Sequence, residues 1–224
     1  MDAPACPNCG APLAFRSAAL PVKVCDFCRS TVIRRGPALE LAGEAATVPE
    51  GVSPLQIGTT GTATGRPFEL VGRVRWRWTD GAWSEWLMLF GDGSHGWLSE
   101  SSSRWMMLPR EGRAADVPDL VARMRGGAVK PGLRVMLDGS AYEVNDARIV
   151  TCLGSEGELP FAAPAGLEMF SVDLIGHDGR CASVQIEDID KPAVYLGRYV
   201  ALADLKPRNL RTIEGWPVPD FARA

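Results

Sequence analysis

Four cysteines near the start of the chain form two pairs with the same internal spacing. Cys6 and Cys9 are separated by two residues, as are Cys25 and Cys28, and fifteen residues lie between the pairs. Two Cys-x-x-Cys turns can direct four sulfur atoms toward one ion, which is the ligand set of a zinc ribbon. Because four thiolates complete a tetrahedron, we expect a structural and not a catalytic Zn²⁺. A thioredoxin-type redox pair is the alternative, but it requires a βαβ context that the surrounding sequence does not show.

The composition is that of an ordinary globular chain. Its 224 residues are 46% hydrophobic and 23% charged, with a formal net charge of −3. This balance argues against nucleic acid as the partner. The longest apolar run, residues 86–90, is far shorter than the roughly 20 residues of a membrane-spanning helix, and no secretory signal begins at Met1. We therefore expect a cytoplasmic protein with reduced cysteines, either free or peripheral to membrane complexes.

An internal repeat organises the chain after residue 54. Glycines and turn dipeptides recur at an offset of 74 residues, which grows to 86 after a glycine- and proline-rich loop. The matched positions are Gly58 with Gly132, Gly65 with Gly139, and the Gly-containing turn at 92–93 with that at 178–179. Each copy alternates apolar and polar residues in short segments separated by turns, which indicates antiparallel strands. The simplest interpretation is a duplicated small β-barrel or roll, with an SH3-like fold as one candidate.

These patterns predict a mainly β protein with one short linking helix. The helix is indicated by apolar residues at helical spacing between the two copies. The predicted segments are a zinc ribbon at 1–36, a connector at 37–54, a first β unit at 55–113, a linking helix at 114–128, a second β unit at 129–211 and a tail at 212–224.

Tryptophan is concentrated in the first β unit, where six of seven lie between residues 76 and 105. Indoles beside arginines can bind sugar rings, bases or cationic ligands such as polyamines, whereas a small barrel also uses indoles to fill its core. The residues assigned to a ligand or partner surface are Arg73, Arg75, Trp76, Trp78, Trp83, Glu85, Trp86 and Trp97. Within this set we expect Glu85 to pair across the sheet with Arg73, Arg75 or Arg77, because an unpaired strand carboxylate would be costly to bury.

Few residues suggest catalysis. The two histidines, His95 and His177, adjoin Asp-Gly turns, where a solvated role is usual. The solitary Cys152 and Cys181 occupy strand positions, where cysteine acts as a small apolar residue. We therefore assign no catalytic residues and predict a non-enzymatic protein.

Several motifs resemble the bacterial domain-of-unknown-function 4178 family. They are SPLQIG at 53–58, FELVGR at 68–73, GAWSEW at 81–86, GWLSE at 96–100, GELP at 157–160, YLG at 195–197 and NLR at 209–211. Residues 6–34 also resemble the zinc-binding N-terminus of longer members. The resemblance implies no reaction. It implies a link to polyamine synthesis or membrane stress, because members are encoded near genes for these processes.

Three functions from different classes remain. A zinc-ribbon adaptor that binds another protein explains the closed metal site and the lack of a catalytic set, and it is our first hypothesis. A module that binds a polyamine or a carbohydrate explains the tryptophans. A nucleic-acid binder would use the ribbon with the strand arginines, but the acidic total opposes it.

Overall fold

The computed structural model describes residues 3–46, 53–101, 104–112, 118–215 and 217. Parts of the predicted connector (47–52), of the linking segment (114–117) and of the C-terminal tail (216 and 218–224) lie outside the described residues.

Thirteen strands in the described residues form one antiparallel sheet. They are β1 (Val22–Val24), β2 (Ser30–Arg35), β3 (Ala38–Glu44), β4 (Thr60–Ala63), β5 (Arg66–Trp78), β6 (Gly81–Phe90), β7 (His95–Ser101), β8 (Arg104–Gly112), β9 (Arg134–Leu137), β10 (Ser140–Leu159), β11 (Glu168–Gly176), β12 (Arg180–Ile186) and β13 (Ala193–Val200). The helix α1 spans Pro118–Arg125, and 3₁₀ turns lie at His177–Gly179 and Leu202–Leu205. The prediction of a mainly β protein with one short helix is confirmed.

Eight of these strands close into an antiparallel barrel. The order around it is β5, β6, β7, β8, β13, β12, β11 and β10, after which β10 pairs with β5 again. The two predicted β units therefore build one barrel together instead of one barrel each. Four strands alone would leave two open edges, and pairing the edges of one unit with those of the other satisfies their backbone groups.

Equivalent backbone geometry recurs at the sequence offset of 74 residues. Gly58 donates its N–H to the carbonyl of Leu70 at 2.8 Å, and Gly132 donates to the carbonyl of Val144 at 2.8 Å. The two glycines have φ values of +86° and +87°. A bulge follows Leu70 in β5, and another follows Val144 in β10. The repeat in the sequence thus corresponds to a repeated local structure.

Glycines allow the strands to approach closely at both seams between the units. Gly72 faces Gly157 where β5 meets β10, and a Cβ on Gly72 would lie 1.9 Å from the carbonyl oxygen of Glu158. Where β13 meets β8, a Cβ on Gly197 would lie 1.8 Å from the carbonyl oxygen of Met107. Any side chain larger than hydrogen would push these strands apart.

The apolar core has three main parts, one inside the barrel and two against its outer wall. Trp76 and Trp97 fill the inside, together with Leu20 from the ribbon. The outer face of the second unit packs against Leu120 of α1. The outer face of the first unit packs against Leu205 from the C-terminal 3₁₀ turn. Parts of the barrel wall are therefore covered on both faces, which explains the apolar residues at adjacent positions along these strands.

Candidate metal centre and barrel-mouth pocket

The four N-terminal cysteines converge on one point. Their sulfur atoms lie within 4.8 Å of one another, with 3.7 Å between Cys6 and Cys28 and 3.8 Å between Cys9 and Cys25. Sulfur atoms placed roughly 2.3 Å from a central ion are about 3.8 Å apart in a tetrahedron. Hydrogen bonding to the side chain and backbone of Ser30 lowers the pKa of the Cys28 thiol to about 6. The hydrogen bond with the backbone of Ala11 lowers the pKa of the Cys9 thiol, but the hydrogen bonds with the other thiols outweigh it and raise that pKa to about 12. The donor set and its geometry fit a metal ion, and the cluster is compatible with the predicted zinc ribbon.

The two Cys-x-x-Cys turns share one backbone conformation. The carbonyl of Cys6 accepts the N–H of Gly10 at 2.9 Å, and the carbonyl of Cys25 accepts the N–H of Arg29 at 2.9 Å. Gly10 and Arg29 both have positive φ, at 76° and 59°. The repeated spacing in the sequence therefore produces two similar turns that present their sulfurs to the same point.

The ribbon is joined to the barrel by strand pairing and a buried ion pair. β1 pairs with β10, with Val22 opposite Leu159. Beside this contact, Nζ of Lys23 lies 3.7 Å from Oε1 of Glu158, whose side chain is 0% exposed. The backbone N–H of Arg16 donates to the same carboxylate at 2.8 Å. A buried carboxylate held from the ribbon side by two residues fixes the ribbon against the barrel.

The tryptophans assigned to a binding surface divide into two groups. Trp76, Trp86 and Trp97 are at most 1% exposed and pack in the cores. Trp78 and Trp83 lie partly exposed at one end of the barrel, with 5.6 Å between their ring centroids. Only the second pair can touch a ligand without rearrangement of the core.

Glu85 is buried inside the barrel, and its hydrogen-bond partners are neutral groups. Its carboxylate accepts two hydrogen bonds of 2.8 Å from Nε2 of Gln185 and one of 2.9 Å from Nε1 of Trp76. Nε1 of Trp83 donates to it at 3.3 Å. Burial raises the pKa of Glu85, and these hydrogen bonds oppose that shift.

The predicted cross-strand pairing of Glu85 with Arg73, Arg75 or Arg77 is wrong. Glu85 stands opposite Val74 in the register of β5 with β6, and Val74 belongs to the core inside the barrel. Because successive side chains of a strand point to opposite faces, the three arginines are directed outward.

On the outer face, Arg73 and Arg75 bind other polar groups of the protein. Nη1 of Arg73 lies 3.2 Å from Oε1 of Glu156, and its guanidinium lies 4.7 Å from the ring centroid of Trp86. Arg73 and Arg75 both donate to Oγ of Ser84. Burial and the neighbouring Arg73 lower the pKa of Arg75. These contacts join β5, β6 and β10 across the barrel wall.

The solitary cysteines lie in the core. Cys152 and Cys181 are 1% and 0% exposed. Burial raises the pKa of Cys152 to about 11 and that of Cys181 to about 12, so both remain thiols at neutral pH. They pack as small apolar groups.

A pocket of about 180 Å³ occupies one open end of the barrel. Residues from seven of the eight barrel strands line it, which identifies it as the mouth of the barrel. Its aromatic walls are Trp78, Trp83 and Tyr199, and its charged groups are Arg104, Asp146, Arg148 and Asp173. We call it the mouth pocket.

Asp173 lines the mouth pocket and also interacts electrostatically with the buried Glu85. Burial raises the pKa of Asp173 to about 7, a hydrogen bond with Ser183 opposes the shift, and the charge of Glu85 adds to it. Asp173 and Gln185 are not among the site residues predicted from the sequence, because the tryptophans directed that prediction to the first β unit. Ser171 and Asp173, at alternate positions of β11, are the sequence signal that the inner face of this strand is polar.

Comparison with curated proteins and with solved structures gives no match. Within the described ranges, no helix is long and apolar enough to cross a membrane. A family model does match, over residues 56–202, which contain β4 to β13 and exclude the ribbon. The chain therefore belongs to the family described as Domain of unknown function (DUF4178).

Proposed function

We propose that this protein is a non-enzymatic adaptor, in which a Zn²⁺-stabilised ribbon holds a protein partner in a fixed position relative to the barrel. The observation that supports this is the junction between the two parts. β1 extends the barrel sheet, and the buried pair of Lys23 with Glu158 locks the ribbon beside β10. A flexible tether would leave the ribbon free to reorient, whereas this junction makes it a rigid platform.

Zinc is the metal that suits the ribbon. Four thiolates in a tetrahedron select Zn²⁺ or iron, and a small domain with this ligand spacing is typical of structural zinc. The ion would supply folding free energy to a segment that is too small to bury much apolar surface. Its four protein ligands would leave no position for a substrate.

The outer edge of the ribbon is the proposed docking surface. β3 is the terminal strand of the sheet and pairs with β2 alone in the part of the chain that is described. Leu41 on β3 is 50% exposed, and Phe27 in the second Cys-x-x-Cys turn is 72% exposed. A partner with an extended apolar segment could add a strand to this edge and contact both side chains.

Affinity capture from an extract of the source cells tests this proposal. Wild-type protein and Ile149→Lys should retain the same partner, because Ile149 is 65% exposed but lies on the barrel. Leu41→Lys should reduce the recovered amount of that partner at least about tenfold, since a lysine would disrupt an apolar contact at the edge of the sheet. Hydrogen exchange on the purified complex should then protect residues 38–44. Equal recovery with all three proteins would contradict docking at β3.

Binding of a small ligand is a second candidate function, and the mouth pocket favours it. The pocket brings two partly exposed indoles together with charged side chains at the open end of a rigid barrel. Barrel mouths are frequent ligand sites because strands fix the wall and loops leave the end accessible.

A further inference from the structure

We infer that the mouth pocket binds a small zwitterion, a molecule with an ammonium group and an anionic group a few bonds apart. The ammonium group meets Asp173 inside the pocket, and the anionic group meets Arg104 at its rim. This inference rests on the second candidate function, small-ligand binding.

The size of the pocket restricts the ligand. A volume of about 180 Å³ is well below the roughly 300–1,000 Å³ of sites for drug-sized molecules. An oligosaccharide or a long polyamine would extend outside it. A ligand of a few heavy atoms is the size that the walls can enclose.

The inner part of the pocket carries an acidic group, Asp173, which is negatively charged above its raised pKa of about 7. Asp173 lines it and has a hydroxyl, that of Ser183, as its hydrogen-bond partner. The buried carboxyl group of Glu85 lies behind Trp83, to which it is hydrogen-bonded, and its ionised form would add negative potential there. An ammonium group placed against Asp173 would pair with a carboxyl group that makes no salt bridge within the described residues, and this pairing would favour the ionised form.

The rim is positively charged. Nη2 of Arg148 lies 2.6 Å from Oδ1 of Asp146, so these two charges compensate each other. Arg104 is exposed, its guanidinium lies 5.8 Å from the ring centroid of Tyr199, and it makes no salt bridge within the described residues. One cation is therefore available to an anionic group of the ligand. The inner negative and outer positive charges together match a zwitterion better than a dication or a dianion.

The aromatic walls are in place before a ligand arrives. Glu85 accepts a hydrogen bond from Trp83, and the guanidinium of Arg148 lies 4.9 Å from the ring centroid of Trp78. Preorganised walls lower the entropy cost of binding a small molecule. Glu85 is in this respect a positioning residue, since Trp83 separates it from the ligand.

A series of four probes with the same four-carbon chain tests the charge pattern on the full-length protein. The probes are 4-aminobutanoate (zwitterion), 1,4-diaminobutane (dication), succinate (dianion) and 1,4-butanediol (neutral). Titration calorimetry and tryptophan fluorescence measure binding. We expect 4-aminobutanoate to bind at least about tenfold more tightly than the other three, the factor that corresponds to one additional charge-assisted contact.

Two variants locate the site. Asp173→Asn, which keeps the side-chain size, and Arg104→Gln should each weaken binding of 4-aminobutanoate by at least about tenfold. Arg66→Gln is the matched control, because Arg66 pairs with Asp92 at an exposed position outside the pocket. Thermal unfolding and amide NMR spectra of each variant show whether the barrel is intact.

The outcomes separate the inference from the function on which it rests. If the diamine, the dianion or the diol binds at the mouth pocket more tightly than 4-aminobutanoate, the inference of a zwitterionic ligand is wrong, but the function of small-ligand binding stands. Absence of binding for all four probes at millimolar concentration overturns both. Binding of 4-aminobutanoate that neither variant weakens overturns the assignment to this pocket.

Discussion

Lys23 in the ribbon and Glu158 in the barrel form an ion pair with 3.7 Å between Nζ and Oε1, and their side chains are 7% and 0% exposed. The backbone N–H of Arg16 donates to the same carboxylate. Both charges are largely removed from water, and each has one further, more exposed partner: Asp26 lies 3.9 Å from Nζ of Lys23, and Nη1 of Arg16 lies 3.4 Å from Oε1 of Glu158. This pair therefore couples the stability of the ribbon to that of the barrel.

Neutralising one member of that pair should be strongly destabilising. Glu158→Gln leaves the buried Lys23 ammonium with the exposed carboxylate of Asp26, 3.9 Å away, as its counter-charge, and we expect the free energy of unfolding to fall by about 3 kcal/mol. Glu40→Gln is the matched control, because Glu40 pairs with Arg35 at 2.8 Å on the surface of the same ribbon. An exposed pair contributes only about 0–1 kcal/mol. Urea unfolding, followed by tryptophan fluorescence, measures the free energy of unfolding of both variants. An equal loss in the two variants would show that burial of the Lys23–Glu158 pair does not add to its effect on stability.

Removal of the metal ion should unfold the ribbon and leave the barrel folded. Amide NMR spectra after chelation should lose the dispersed signals of residues 3–46 and keep those of β5 to β13, because the barrel strands supply most of the barrel core. The barrel should be less stable than in the intact protein, since Leu20 and the Lys23–Glu158 pair no longer contribute. Cys25→Ser should have the same effect. Cys152→Ser, in the barrel core, should keep the metal content of the wild type, measured by elemental analysis. A ribbon that keeps its signals after complete chelation would disprove a metal-dependent fold.

A methyl group at the seam between β13 and β8 should disrupt barrel closure. In Gly197→Ala the new Cβ would lie 1.8 Å from the carbonyl oxygen of Met107, and backbone cannot move aside as a flexible side chain can. We expect a loss of about 3 kcal/mol or more in the free energy of unfolding. Gly91→Ala has no atom within 4 Å of its Cβ and should change stability by less than about 0.5 kcal/mol. Thermal unfolding distinguishes the two variants. Similar unfolding midpoints would show that β13 and β8 do not approach each other closely at Gly197.

The ionisation of Asp173 should make stability decrease as pH rises. Burial raises the pKa of Asp173 from 3.8 to about 7, so the folded chain holds this proton more tightly than the unfolded chain. Between about pH 4 and pH 7 the free energy of unfolding should therefore fall, by at most about 4 kcal/mol. The titratable or charged neighbours are Glu85, Asp146, Arg148, Cys181 and Tyr199.

Asp173→Asn isolates this contribution, because the amide cannot ionise. The variant should be more stable than the wild type at pH 8, and the difference should shrink or reverse toward pH 4. Urea unfolding of the two proteins at each pH measures it, and the comparison cancels the titration of the ribbon cysteines. Parallel stability curves across this range would mean that Asp173 has an ordinary pKa.

The sequence alone determined the features that depend on local spacing. Two residues between cysteines permit the turns that gather the sulfurs, and the turn at Gly58 recurs at Gly132 with the same hydrogen bond. Alternation along the strands indicated a β protein. Each of these properties arises within a few consecutive residues, so the backbone geometry of one turn or strand is enough to predict it.

Only the tertiary structure decided how the two units combine and which side chains meet inside them. Barrel closure depends on pairing β5 with β10 and β8 with β13, and no short-range pattern specifies which distant edges join. Strand register directs Glu85 inward to Gln185, one hundred residues away, and not to the arginines of the adjacent strand. The mouth pocket has the same origin, because seven strands contribute to it only after the barrel has closed.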